Sequence, residues 1–346
     1  MQNTNAPVNR HARRSTPAQA PRRTRMTAAI LVCVATVFAH GLASAQQYPD
    51  RPIKVVNTFP AGGSGDAVVR IVLDRVGQVL GHPFVIDTRA GASGAIGTAY
   101  VAKSAPDGYT LVLGTASTFG TNSSTQKGLP YDPVADFTPV INMATTPYFL
   151  LVNPSVPAHT LAEFITYANA PANKGKLNFG SFGLGSSNHL AYELFKQATN
   201  LDIVHVPYKG GAPLITALLG GEIQSSMDVY ATSSQFVRAG KFRVLGVASA
   251  NRFSLTPDVP TMREQGYPVE GGTFFALLGP ARMPPAIVAT LNREVNKVLL
   301  LADVREKLGA IGVEPVGGSP EVLATTVSTE VQKWARLVQT RNLKFD

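Results

Sequence analysis

The sequence predicts an α/β protein of two lobes, and three observations lead there. From Tyr48 onward, short β-branched and apolar runs alternate with helical patterns, the signature of βαβ units on a parallel sheet. Glycine-rich turns stand at the strand-to-helix junctions, FPAGGSGD at 59–66 and RAGASGAIG at 89–97. The same alternation restarts after a helix opened by Thr160, in a chain of 346 residues, long enough for two cores.

Residues 53–56 read as the first strand and 67–80 as the first helix. Between them Gly62, Gly63 and Gly65 let the backbone approach a ligand closely. The first N–H groups of a helix lack intrahelical acceptors and the helix dipole adds partial positive charge, so such a junction holds a carboxylate or phosphate by backbone alone. The arrangement recurs with a strand at 84–87, the second glycine turn, and a helix start at 96–104. YTLVLGT supplies a third strand that ends at Thr115. Residues 161–170 form a helix with Thr160 as N-cap and Glu163 at the third helical position, the pattern of a capping box.

The second lobe is expected to contain a strand at 176–180, a turn at 183–189 (GLGSSNH) and a helix at 190–197, with 203–207, 212–219 and 242–248 continuing the alternation. GGTFFALLGP at 271–280 reads as a strand returning to the first lobe. A helix over 285–301 follows, with Pro285 in its first turn, and further helices cover 304–308 and 320–340. Crossings near 143–151 and 271–277 predict two hinge strands. They divide the chain into 46–143 (first lobe), 144–272 (second lobe) and 273–346 (return to the first).

Residues 1–45 read as a separate object. Arg22, Arg23 and Arg25 precede an apolar stretch at 28–39, and Ala43-Ser44-Ala45 supplies a small-residue cleavage pattern before Gln46. This predicts a secretory signal peptide cleaved after Ala45 and a periplasmic protein with no membrane anchor in the mature chain. The apolar stretch falls short of the roughly 20 residues a membrane span needs. The net charge of +9 is mostly the leader's: 6 of 31 basic residues and none of the 22 acidic ones lie in it, leaving 25 against 22.

Several function classes are disfavoured by what is missing. No basic run interleaves with aromatics, so no nucleic-acid groove is expected. The sole cysteine, Cys33, leaves with the leader, so the mature chain has neither disulfides nor thiol chemistry. His82, His159, His189 and His205 stand at no metal-ligand spacing. Gly183 and Gly185 begin a dinucleotide fingerprint, but Asn188 stands where its third glycine belongs, and no glycine turn is followed by Lys-Ser or Lys-Thr. No cofactor or metal is expected.

The strings YPDRPIKVVNTFPAGGSGD, APDGYTLVLGT, LPYDPVADFTPV, GKLNFGSFGLGSSNHLAYELF, DIVHVPYKGGAP and PDVPTMREQG follow one another across essentially all of the mature chain. In them the chain resembles the Bug or TctC type periplasmic substrate-binding proteins of tripartite tricarboxylate transporters. The resemblance implies a two-lobed α/β periplasmic-binding-protein fold of type II, a Venus flytrap with two hinge strands. It also implies a receptor, not an enzyme, that closes on a small carboxylate and delivers it to membrane permease subunits. Two departures fall in the first glycine turn, where the family typically has prolines at the positions of Thr58 and Ala61; both leave the glycines intact.

The candidate ligand-binding residues gather at the junctions. Phe59, Ala61, Gly62, Gly63, Ser64 and Asp66 form the first group, although Asp66 suits loop stabilisation better than contact with an anion, since like charges repel in a dry cleft. Ala92 and Ser93 form the second, where tight packing alone would also use the glycines around them. Thr115 closes the third strand. Ser186, Ser187 and His189 form another group, where capping accounts for one serine without a ligand. Asp228 matches a position the family keeps acidic in its cleft, and Tyr208 and Tyr230 offer flat walls. Two other functions compete: a sensing receptor for a membrane signalling partner, and a serine hydrolase using His189 with Ser186 or Ser187. The ligand stays open among dicarboxylates, tricarboxylates, aromatic acids and amino acids.

Overall fold

Three parallel strands open the fold: β1 (Ile53–Asn57), β2 (Phe84–Thr88) and β3 (Thr110–Gly114), ordered β2-β1-β3. The crossovers are α1 (Ser64–Leu80) and α2 (Ala95–Ala102). The computed structural model describes residues 48–345 and Gln2; the expected leader, its cleavage site and Cys33 lie outside the described residues. Helix α1 begins at Ser64, three residues earlier than the pattern at 67–80 suggests, because Gly63 adopts an extended N-cap conformation and Asp66 Oδ2 accepts the Gly62 N–H at 3.3 Å. It stops at Gly81, whose φ of 74° only glycine adopts without strain. Its valines at 68, 72 and 76 recur at helical spacing and are fully buried.

After a short helical segment over 117–125, the 16-residue strand β4 (Phe137–Val152) leads into the rest of the chain. There follow α3 (Leu161–Asn169), β5 (Asn178–Ser181), α4 (Ser187–Thr199), β6 (Val204–Pro207), α5 (Gly211–Gly220), β7 (Ser225–Val229), α6 (Tyr230–Arg238) and β8 (Arg243–Ala248). The chain returns through β9 (Gly272–Pro280) and ends in α7 (Pro285–Leu299), α8 (Ala302–Ala310), β10 (Glu314–Gly317) and α9 (Pro320–Arg341). The capping box of α3 is present: Thr160 Oγ1 accepts the Glu163 N–H at 3.1 Å and Glu163 Oε2 accepts that of Thr160 at 3.3 Å.

The strands form one sheet in the order β2-β1-β3-β9-β4-β7-β5-β6, with β8 and β10 also on β4. β4 changes partners along its length. Its first part runs antiparallel to β9, from Phe137 opposite Pro280 to Pro147 opposite Gly272, whereas Tyr148 to Val152 pair with β7 and β8. Pro139, which has no N–H to give, sits at a register shift. The result is the two-lobed α/β fold, with β4 and β9 linking the lobes.

Period-two alternation sends neighbouring side chains to opposite faces. Leu150 and Val152 enter a core with Phe164, Phe179, Tyr192 and Phe195, while Phe149 and Leu151 enter another with Leu214, Leu218 and Phe242. In the first lobe Ile53 and Val55 face α1 and α7, and Val56 faces Phe119, Phe137 and Leu323. Fully burying a side chain of this size contributes about 1.5–3 kcal/mol. Helix α9 places the buried Trp334 against Leu190 of α4 and satisfies its indole N–H on Glu330 Oε2 at 2.6 Å.

Candidate functional site

The carboxyl ends of β1 and β3, the amino end of the antiparallel β9 and the amino ends of α1, α4 and α5 meet around a cavity of about 630 Å³ of empty space, part of it open to solvent. This is where open α/β sheets hold ligands. The floor carries Asn57, Leu113, Thr115, Thr273 and Phe275; Phe59 to Ala61 and Gly63 to Asp66 form one wall, and Tyr148, Phe182, Ser187, Gly211, Ala212 and Thr232 the other.

Among the described residues the lining contains one charged side chain, Asp66, and no basic one. That carboxylate is already engaged by Arg70 (3.1 and 3.2 Å) and by the Gly62 N–H. Asp66 is therefore part of the loop's own scaffold. The first intrahelical bond of α1 is from Ala67 N to Gly63 O, which leaves the N–H groups of Ser64, Gly65 and Asp66 without intrahelical acceptors. Ser187 begins α4 and Gly211 begins α5, so three helix amino ends turn partial positive charge toward one space. Such a lining suits an anion held through peptide groups.

Hydroxyls complete the far wall. Tyr148 OH lies 2.6 Å from Ser187 Oγ, which lies 3.0 Å from Ser117 Oγ; Ser117 Oγ also accepts the Ser187 N–H at 3.1 Å. Burial pushes the Tyr148 phenol well above its ordinary value, so it keeps its proton. Three hydroxyl protons serve two mutual bonds, so the chain always has one donor to spare.

The sequence-predicted residues separate into those that line the cavity and those that do not. Phe59, Ala61, Gly63, Ser64, Asp66, Thr115 and Ser187 line it. Gly62 stands behind them, with a φ of 83° that shapes the turn. Ala92 and Ser93, both at positive φ, lie at the rim: Ser93 Oγ donates to Leu184 O at 3.0 Å, and Gln126 Nε2 to Ala92 O at 2.9 Å. Thr125 Oγ1 adds a bond to Gly185 O at 3.2 Å. The Ser93 and Thr125 bonds join the 92–125 region to the 184–185 turn.

Ser186 holds the N-cap position of α4, but its hydroxyl makes no capping bond and lies instead 2.6 Å from Gly183 O and 2.8 Å from Asn188 Oδ1, as a donor. His189 points away: Nδ1 accepts the Gly185 N–H at 3.0 Å, and its ring stacks on His205 at 3.6 Å. Burial, then the His205 charge, pushes its pKa down to about 2. Neither Ser186 nor Ser187 is hydrogen-bonded to it, so the nucleophile-base pair that a serine hydrolase needs is not assembled there. Asp228 is fully buried one layer behind the wall. It accepts the Val229 N–H at 2.7 Å and the Thr232 hydroxyl at 3.0 Å, and reaches the cavity through Thr232. Tyr208 and Tyr230 pack in the second-lobe core. Among the described residues no group of His, Cys, Asp and Glu could hold a metal ion, and no helix is long and apolar enough to cross a membrane.

Sequence reasoning did not reach Asn57, Ser117, Tyr148, Phe182, Gly211, Ala212, Thr232, Thr273 or Phe275. For Gly211 and Ala212 a signal existed: YKGGAP at 208–213 is another glycine turn opening a helix, as FPAGG is.

Comparison with known proteins gives the same assignment. Residues 68–343 match the model of the tripartite tricarboxylate transporter family receptor, TctC. Protein BugT of Bordetella pertussis is 36% identical over 324 residues, covering 93% of this chain and 99% of BugT. Two solved structures are similar: R. palustris Rpa4515 with adipate (TM-score 0.82, 37% identity, 86% of this chain and 99% of that one), and MatC (Rpa3494) from Rhodopseudomonas palustris with bound malate (TM-score 0.79, 33% identity, 84% and 100%). The chain belongs to the tripartite tricarboxylate transporter receptor family, whose members are solute-binding receptors and not enzymes.

Proposed function

We propose that this chain is a periplasmic receptor that binds a small organic carboxylate in the cavity between its lobes and delivers it to the permease subunits of a tripartite transporter. One observation carries the reading: three helix amino ends converge on a cavity whose lining includes no basic side chain. That arrangement suits a compact anion and gives no advantage to a neutral sugar. The carboxylates held by the two similar R. palustris proteins support it. The leader expected at 1–45 agrees with a periplasmic location.

The lobes divide near 143–144 and 272–273, and β4 and β9 act as hinges. The rim bonds of Ser93 and Thr125 belong to the closed state, in which a ligand touching both walls shifts the population by its differential affinity. The test is calorimetry of residues 46–346 with di- and tricarboxylates, aromatic acids, amino acids and sugars. Saturable binding of an acid without turnover is expected. Binding confined to sugars, or release of a reaction product, would sink the reading.

A further inference from the structure

Asn57 ends β1 on the cavity floor, is 1% exposed, and has a half-satisfied side chain. Oδ1 accepts the Phe59 N–H at 3.3 Å, while Nδ2 is buried with no hydrogen-bond partner. The amide cannot be turned over to relieve this, because Nδ2 would then face the Phe59 donor. A buried donor without an acceptor is costly, and such groups in native proteins normally have a partner. Asn57 lines the cavity together with the apolar Leu113 and Phe275, so the group that completes it comes from whatever fills the cavity. Oδ1 already has a donor in the Phe59 N–H, so the need that Asn57 leaves unmet is for an acceptor at Nδ2.

We propose that Asn57 is a specificity-determining residue that reads an oxygen acceptor, a carbonyl or second carboxylate, on a ligand whose first carboxylate is held by the helix amino ends. The inference rests on the carboxylate reading above. An ammonium group at this place would leave Nδ2 unpaired and bring two donors together. The floor therefore favours dicarboxylic and oxo acids over simple monoacids and over amino acids that direct their amine to it. The apolar body of the ligand lies along Leu113 and Phe275.

The experiment is calorimetric titration of wild type and Asn57→Val with two matched pairs, adipate against hexanoate and malate against lactate. Wild type should prefer the diacid of at least one pair. In Asn57→Val the affinity for that diacid should fall about tenfold or more, the range for a hydrogen bond to a charged group, while the monoacid is unchanged, so that selectivity collapses. Equal weakening of both members, or no weakening of either, would overturn the role of Asn57 and leave the carboxylate reading standing. Wild type binding none of the four acids would overturn the carboxylate reading and this inference with it. Asn57→Asp keeps the acceptor for Phe59 and serves should valine disturb the fold: once ionised it should weaken the diacid at least as much as valine does, and an unchanged diacid affinity would refute the assignment.

Discussion

Replacing Asp228 by asparagine should make the protein more stable at neutral pH and remove a specific part of its pH dependence. Burial pushes this carboxyl from an ordinary value of 3.8 up to about 7, against the opposing hydrogen bonds from Val229 and Thr232. Below about pH 4 the group is protonated in both folded and unfolded chains and contributes nothing. Between about 4 and 7 the unfolded chain ionises while the folded one holds its proton, so stability falls as pH rises, and the loss is complete above about 7. About three units at 1.36 kcal/mol each amount to roughly 4 kcal/mol. Asparagine fits the same space: Oδ1 can still accept from Val229, and Nδ2 can donate to Thr232 Oγ1, whose hydroxyl is already 3.1 Å from Val229 O.

The wild-type profile alone would not reveal this, because His189 and His205 act in the opposite direction. Their pKa values are lowered to about 2 and about 4, so the stability they preserve above about 6.5 is lost on acidification. The assay is therefore the difference between variant and wild type in urea unfolding at pH 4.5 and pH 8. That difference should grow by a few kcal/mol in favour of the variant at the higher pH. A constant difference would refute a buried, protonated Asp228.

Three further outcomes are expected. Gly63→Val should keep the fold, because the added Cβ would meet only Pro60 O at 3.6 Å and φ is −80°, yet it should abolish acid binding by filling the space beside the α1 amino end; unchanged affinity by calorimetry would displace the anion seat. Ser93→Ala removes a rim bond and should weaken ligand binding by about 0.5–1 kcal/mol through the closed state, with the unfolding midpoint of the ligand-free protein the control; equal affinity would mean that the rim bond does not favour closure. His205→Phe should flatten the loss of stability between pH 7 and pH 5 by about 1–2 kcal/mol, and a slope unchanged from wild type would show that the buried histidine stack does not resist protonation.

Much of the fold was legible because its signals are local. The glycine turn at 59–66, the capping box at Thr160 and Glu163, and the proline starting α7 each lie within one strand-to-helix junction or helix start. The short helical segment over 117–125 was not legible: STFGTNSST is poor in helix formers, and its conformation is held by burial of Phe119 and by α9, where Trp334 closes over Gly120. The cavity was half legible for a similar reason. One wall follows from the first glycine turn, but Thr273 and Phe275 arrive through antiparallel pairing of β9 with strands more than a hundred residues away, and Tyr148 through the partner change in β4. His189 was drawn toward the site by its neighbours Ser186 and Ser187. Helix α4 begins at Ser187 and not at 190, and two residues along a helix lie about 200° apart, so Ser187 and His189 face opposite ways. Asn57 carries no sequence signal, since an amide at a strand end becomes informative only when its burial and its lost partner are known.

Charge recognition by peptide dipoles has a kinetic consequence. The attraction of a fixed cation reaches about 8–10 Å through physiological salt, whereas a helix end acts over its first turn. A cavity without a lysine or arginine in its lining therefore gathers no acid from a distance, and association should proceed near the unsteered rate, with little dependence on ionic strength. An exported receptor of this kind would have nearly the same capture threshold in dilute and in saline surroundings.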